Sequence, residues 1–231
     1  MYKCENIGLD IDFYIRLNQA PISVILEMLK TKEEYTKISD IRQKIFKIAL
    51  KSAYIMIKRP LTKEGINEKQ FYDKITQDML NGLVPFFFQM LYMNFVIENK
   101  QYMVFNIPDI SFDSLINSAN RALFTTQWWK TFLYQVSRAI KYLEEEKIMH
   151  NFLGITAINF YVYPRTPDDI GIMIGSFQRS PFFTKGKDLE YFRNSFINSI
   201  IKNTLPNRLL DLLNESRTGE ELFEKIKLIN I

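Results

Sequence analysis

The chain has 231 residues, 47% of them hydrophobic and 24% charged, with a formal net charge of +4. It is long enough to bury a core as one domain or two small lobes, and its basic residues are scattered among acids, which excludes the dense Lys/Arg stripe of a nucleic-acid binder. Cys4 is the sole cysteine, so an internal disulfide and a cysteine-based metal site are excluded and a reducing compartment such as the cytoplasm is expected.

The N-terminal stretch "MYKCENIGLDIDFYIRLNQ" carries Asp and Glu within its apolar residues, so it does not read as a secretory signal. Ile22, Ile25, Leu26 and Leu29 then form one face of a short helix ending near Lys30. "KISDIRQKIFKIALKSAYIMIKRP" reads as strands of an antiparallel sheet that stops at Pro60. In the next segment Phe71, Tyr72, Ile75, Met79 and Leu80 make a helical stripe, with Asn67 as the expected N-cap, Glu68 close behind, and Asn81-Gly82 as the stop.

Phe86 to Ile97 and "KQYMVFNIP" are expected to be strands joined at "ENK", the second ending at Pro108. The apolar run from Leu83 to Ile97 is interrupted by Pro85, Gln89 and Asn94, and is shorter than the roughly 20 residues a membrane-spanning helix needs. From "SFDSLI" onward the pattern is helical. The strongest helix is "TTQWWKTFLYQVSRAIKYLEEEK", with Trp129, Phe132, Leu133, Val136, Ile140 and Leu143 on one stripe and "EEEK" as a solvated end. Two short strands, "AINFYVYP" and "DIGIMIGSF", form a hairpin, and "KDLEYFRNSFINSIIKN", "PNRLLDLLNES" and "TGEELFEKIKLI" return to helix. Neighbouring aromatics, Trp128-Trp129 and Phe86-Phe87-Phe88, belong mostly to the core, but adjacent residues cannot all face inward. Some aromatic surface is therefore expected, and such surface suits a protein–protein interface.

The order is a β-rich half with one embedded helix, residues 1–110, followed by a mostly helical half, residues 111–231, in a single compact unit. The class is α+β. This order, with a long amphipathic helix leading into "IMHNFLGITAINFYV" and a hairpin leading into "IGIMIGSFQRS", resembles the protein kinase fold, with a small β-rich N-terminal lobe and a reduced helical C-terminal lobe. On that resemblance His150, the only histidine, matches the histidine of the family's catalytic loop, which braces backbone.

The resemblance also implies that the chemistry is missing. The loop aspartate of the family, which handles the substrate hydroxyl proton, corresponds to Phe152, which can neither take a proton nor hold a metal. The metal-binding asparagine corresponds to Ala157, with Asn159 as a substitute only if the loop were two residues longer. The Asp-Phe-Gly position reads Gly175-Ser176-Phe177, without a carboxylate. "KISDIRQKIFKIALKS" has no glycine to cover phosphates. Lys58, ending "AYIMIK", matches the family's strand lysine, and its vestigial helical partner would be Asp73, with Glu68 second.

The expectation is an inactive kinase-fold protein, a pseudokinase without metal or cofactor. It would act as a structural or scaffolding subunit through protein partners, in the cytoplasm or in a virion. A composition rich in Phe, Tyr, Ile, Lys and Asn suggests an AT-rich genome, and with it the short kinase-like chain resembles kinase-like proteins of large DNA viruses, for which a viral capsid is the implied assembly. The alternative is an atypical kinase or nucleotide-binding regulator using Lys58, Asp73, Asn159 and Asp168 or Asp169.

Overall fold

A computed structural model describes residues 35–40, 43–50, 53–60, 64–97, 100–106, 108–118, 121–161, 163–175, 177, 183–197 and 204–229. The helix expected near Ile22 to Lys30 and the stretch 198–203 expected to continue a later helix lie outside these residues. The chain divides into two compact units.

Among the described residues, one unit covers residues 35–77 together with Gln89–Ile107. Strands β1 (Tyr35–Asp40), β2 (Gln43–Leu50), β3 (Ala53–Pro60), β4 (Leu91–Ile97) and β5 (Lys100–Asn106) form one antiparallel sheet in the order β1-β2-β3-β5-β4. Ile-rich β2 and β3 suit the pleated, half-buried surface that β-branched residues favour. Helix α1 (Glu64–Leu80) is tied to that sheet by its buried stripe. The Tyr72 ring lies 4.6 Å from that of Phe105, and Thr76 Oγ1 accepts from the Leu91 amide at 3.0 Å.

Two expectations shift here. Helix α1 begins at Glu64, so Asn67 sits inside it and is not its N-cap. Gly65 in its first turn costs only about 1 kcal/mol relative to Ala, less than the buried face gains. The strand expected from Phe86 begins instead at Leu91. Pro85 has no N–H for a ladder, and the Phe87 amide turns back to the Pro85 carbonyl at 2.7 Å. The stop at Asn81-Gly82 holds: Gly82, at φ 72°, ends the helix as Leu83 N–H bonds back to the Asp78 carbonyl at 2.9 Å.

The other unit contains Asp78–Phe88 and Pro108–Ile231. Its elements are β6 (Ile110–Ser111), α2 (Phe112–Ser118), α3 (Thr126–Glu145), β7 (Ile158–Phe160), β8 (Ile172–Ile174), α4 (Lys187–Ile197), α5 (Asn207–Glu215) and α6 (Gly219–Lys227). The expected hairpin is present as β7 and β8, and β6 adds a third antiparallel strand beside β7. Helix α3 is the axis of this unit. Thr125 caps it by accepting from the Trp128 amide at 3.2 Å, and α6 packs along it. Its expected stripe of Trp129, Phe132, Leu133, Val136, Ile140 and Leu143 is fully buried.

Two further expectations fail on α3. Trp128 and Trp129 are both 0% exposed, so this pair leaves no aromatic surface. Phe112 of α2 and Phe124, just before α3, add rings on the sides that one helix face could not cover. "EEEK" is not wholly solvated either: Glu145, Glu146 and Lys147 are exposed, but Glu144 is only 9% exposed. Among the described residues no helix is long and apolar enough to cross a membrane.

Candidate functional site

The chain leaves α3 through Lys147, in the left-handed region at φ 56°, while the Ile148 amide bonds back to the Leu143 carbonyl at 2.8 Å. This reversal delivers residues 148–157 as a loop ahead of β7. His150 is 1% exposed, and its ring is used on both sides. The Phe152 amide donates to Nδ1 at 3.4 Å, so the proton belongs on Nε2, which donates to the Gly175 carbonyl at 2.6 Å. The Phe177 ring packs at 4.6 Å from the imidazole. The histidine thus ties the loop to the chain just past β8, an architectural role.

The loop is gripped from the other side by α4. Asp188, in the first turn, accepts from the His150 amide through Oδ2 and from the Asn151 amide through Oδ1, both at 2.9 Å. Asn151 adopts φ 68°, a conformation Asn tolerates better than most residues. Burial raises the Asp188 carboxyl above its usual range, while the two amides pull the other way. Two turns further along the same helix, Ser195 Oγ accepts from the Ile155 amide at 3.0 Å. Gly154 is required beside it, since a Cβ there would come within 2.8 Å of that oxygen.

The small sheet is fixed by side chains as well. Gln135 of α3 donates to the Ile170 carbonyl at 2.6 Å and accepts from the Ile172 amide at 3.1 Å. Tyr161 donates its hydroxyl to the Phe88 carbonyl at 2.6 Å, and the Ile174 amide donates to the Phe87 carbonyl at 2.8 Å. Tyr142 donates to Asp78 Oδ2 at 2.5 Å. Burial, then that carboxylate, push its phenol well above the usual range.

Phe152 follows the braced pair His150-Asn151 and is 49% exposed, its ring stacked at 5.9 Å on Tyr191 of α4. Lys187 Nζ lies 5.2 Å from the Tyr191 ring centre. Gly175 contributes only backbone, accepting from His150 and donating to the Ala157 carbonyl at 3.2 Å. Ala157 is buried. The Asn159 amide nitrogen points at backbone carbonyls, Ala157 at 3.4 Å and Met173 at 3.5 Å. Asp168 and Asp169 are exposed on a single 3-10 turn between β7 and β8. Lys58 lies on the central strand of the larger sheet, opposite Ile45 and Met103, and Asp73 is on the exposed side of α1. Among the described residues no group of three or more His, Cys, Asp or Glu is gathered as a metal site would need.

The sequence reading missed Asp188, Ser195, Gln135 and Glu144. Their signal was positional. Asp188 and Ser195 fall on the same apolar stripe as Leu189, Phe192 and Phe196, and a polar residue on a buried stripe needs a partner.

No family model matches this sequence, and no curated protein does. Among solved structures that match is the crystal structure of a kinase domain, 15% identical, with a TM-score of 0.52. The match covers 65% of this chain and 52% of that one, so the chain spans about half the length of that domain. At that identity the likeness speaks for the fold alone: the chain has a kinase-like fold.

Proposed function

We propose that this chain is a kinase-fold protein that acts by binding rather than by phosphoryl transfer, serving as a structural or scaffolding subunit. The observation that carries this reading is Phe152. A braced, precisely hydrogen-bonded loop presents, where the resembled family has its aspartate, a half-exposed phenyl ring stacked on Tyr191. A phenyl ring can neither accept a proton nor neutralise charge, and phosphoryl transfer depends on positioning and charge neutralisation. Gly175 supports the same reading, since its position offers a carbonyl to His150 and no carboxylate to a metal. The stacked Phe152-Tyr191 pair gives a protein partner aromatic area at low entropic cost. A virion is the assembly suggested by a composition rich in Phe, Tyr, Ile, Lys and Asn, which an AT-rich genome would give.

The test is a thermal melt of the purified chain titrated with ATP, with and without Mg²⁺, alongside a transfer assay of Phe152→Asp. A ligand at 100 times its dissociation constant adds about 2.7 kcal/mol, which moves a melt by several degrees. We expect no Mg²⁺-dependent shift and no activity gained by the variant. A clear shift, or transfer by either form, would overturn the proposal in favour of a nucleotide-binding enzyme.

A further inference from the structure

The five-stranded sheet has two faces, and α1 accounts for one of them. Successive residues of a strand alternate between faces, and residues directly opposite in a ladder share one. Met103 and Phe105 of β5 are both 0% exposed, and the Tyr72 ring of α1 lies 4.6 Å from that of Phe105. The register carries this face across the sheet. Met103 and Phe105 stand opposite Lys58 and Met56 of β3, which stand opposite Ile45 and Lys47 of β2. Two lysine positions thus fall on the side that α1 packs against.

The other face is the more apolar of the two. Its positions include Phe46 and Ile48 of β2, with Ile57 and Ile55 of β3 opposite them. Val104 of β5 stands opposite Ile57, and Met93 of β4 opposite Val104. No charged residue interrupts this block. An antiparallel sheet with one face in water alternates apolar with polar residues, so a sheet apolar on both faces needs cover on both. Among the described residues α1 is the only helix of this unit, and it lies on the first face.

We propose that the chain covers this second face itself, with an amphipathic helix over residues 22–30 laid across β2, β3, β5 and β4. These residues lie outside the described ones, and the assignment is supported by their sequence and by where they rejoin the sheet. Ile22, Ile25, Leu26 and Leu29 form an apolar face, while Ser23, Glu27 and Lys30 recur at i, i+4 and i+7 as a polar stripe. Pro21 stands where a first helical turn accepts proline. Nine helical residues extend about 14 Å, the same as the three strand spacings of about 4.8 Å from β2 to β4. The connection is short: residues 31–34 lead straight into Tyr35 of β1, the edge strand beside β2. Extended, that stretch reaches about 17 Å, more than the roughly 10 Å between packed layers. Thr31, Lys32, Glu33 and Glu34 are all polar, as a surface connection requires. The other occupants of such a face are a second copy or a separate protein. A segment tethered this closely acts at an effective concentration of about millimolar, which favours it over both.

The experiment is a methyl NOE measurement on the full chain, with labelled and unlabelled chains mixed so that contacts within one chain are separated from contacts between copies. NOEs within one chain are expected from the methyl groups of Ile25, Leu26 and Leu29 to those of Ile55 and Ile57. The same NOEs found only between copies would make the face a dimer contact, and no NOE from residues 22–29 to it would leave it to a separate partner. Either result overturns the proposal. Two variants give a second readout. Ile25→Asp should speed amide exchange in β2 and β3 at least about tenfold, and Ser23→Asp, on the polar stripe, should leave it unchanged. Equal effects from both, or none from either, would overturn it as well. The wild-type NOEs decide the question even if Ile25→Asp does not fold. None of these outcomes depends on whether the chain binds nucleotide.

Discussion

The two ends of α3 are built differently. Its N-terminal end sinks Trp128, Trp129 and Phe132 among Phe112, Phe124, Phe160 and Phe196, and among the described residues neither indole N–H has a hydrogen-bond partner. Its C-terminal end buries Tyr142, Glu144 and, a few residues on, His150, and there the side-chain polar groups are met by directional partners. The first end is held by contact area, which is large and has no preferred direction. The second is held by bonds that work at one distance and one angle, and it is the end that shapes the loop. Adhesion and positioning have been assigned to opposite ends of a single helix.

The largest effect should come from attacking contact area. Trp129→Ala is expected to lose about 3–5 kcal/mol in chemical denaturation, because the ring fills the centre of the cluster and its removal leaves a cavity. A loss below about 1 kcal/mol would mean that this end is not the anchor.

A medium effect is expected at the positioning end. In Asp188→Asn one oxygen can serve only one of the two amides, and a buried unsatisfied amide costs about 1–3 kcal/mol. The folded Asp188 carboxyl lies above its unfolded value, so its contribution is fully present below the usual aspartate value of 3.8 and is lost as pH rises through the folded value. The deficit of the variant should therefore be widest in acid and narrow toward neutral pH, as measured by denaturation at several pH values. A deficit that widened would contradict the assignment.

The smallest effect, expected at Trp128, sharpens the contrast between the ends when set beside Tyr142. Trp128→Phe removes an N–H that has no partner to lose and should cost less than about 1.5 kcal/mol. Tyr142→Phe removes a hydroxyl donating to the Asp78 carboxylate and should cost about 1.5–3 kcal/mol, although fewer atoms are lost. Reversal of that order in thermal or denaturant unfolding would show that both ends are held by the same kind of force.

Periodicity made the contact end legible in the sequence. The stripe from Trp129 to Leu143 was visible as a helical face because burying apolar area imposes a repeat. The Trp128 side was not, because what covers it, Phe112 and Phe124, comes from segments whose placement a local pattern does not encode. The positioning end was legible only through His150, whose uniqueness drew attention to it. Glu144 looked like one more acid in a charged run, and Asp188 like an ordinary residue of a helical first turn. A buried carboxylate and a solvated one have the same letter, and only the glycines at 186 and 219, far along the chain, whose amides donate to Glu144, distinguish this one. The strand misplaced at Phe86 has the same origin: its apolar run satisfied the local pattern, and Pro85 decided otherwise.

Gln135 has a consequence for how this chain keeps to itself. β8 is the outermost strand of its three-stranded sheet, and the outward edge of such a strand is an open template for a neighbouring chain. Here the Gln135 amide occupies the edge at Ile170 and Ile172, and the Phe87 carbonyl takes the next outward amide at Ile174. A side chain and a loop carbonyl thus do the work of a fourth strand, and the sheet is closed beyond β8. For a protein proposed to live inside an assembly, that closes off one uncontrolled route of self-association, strand against strand.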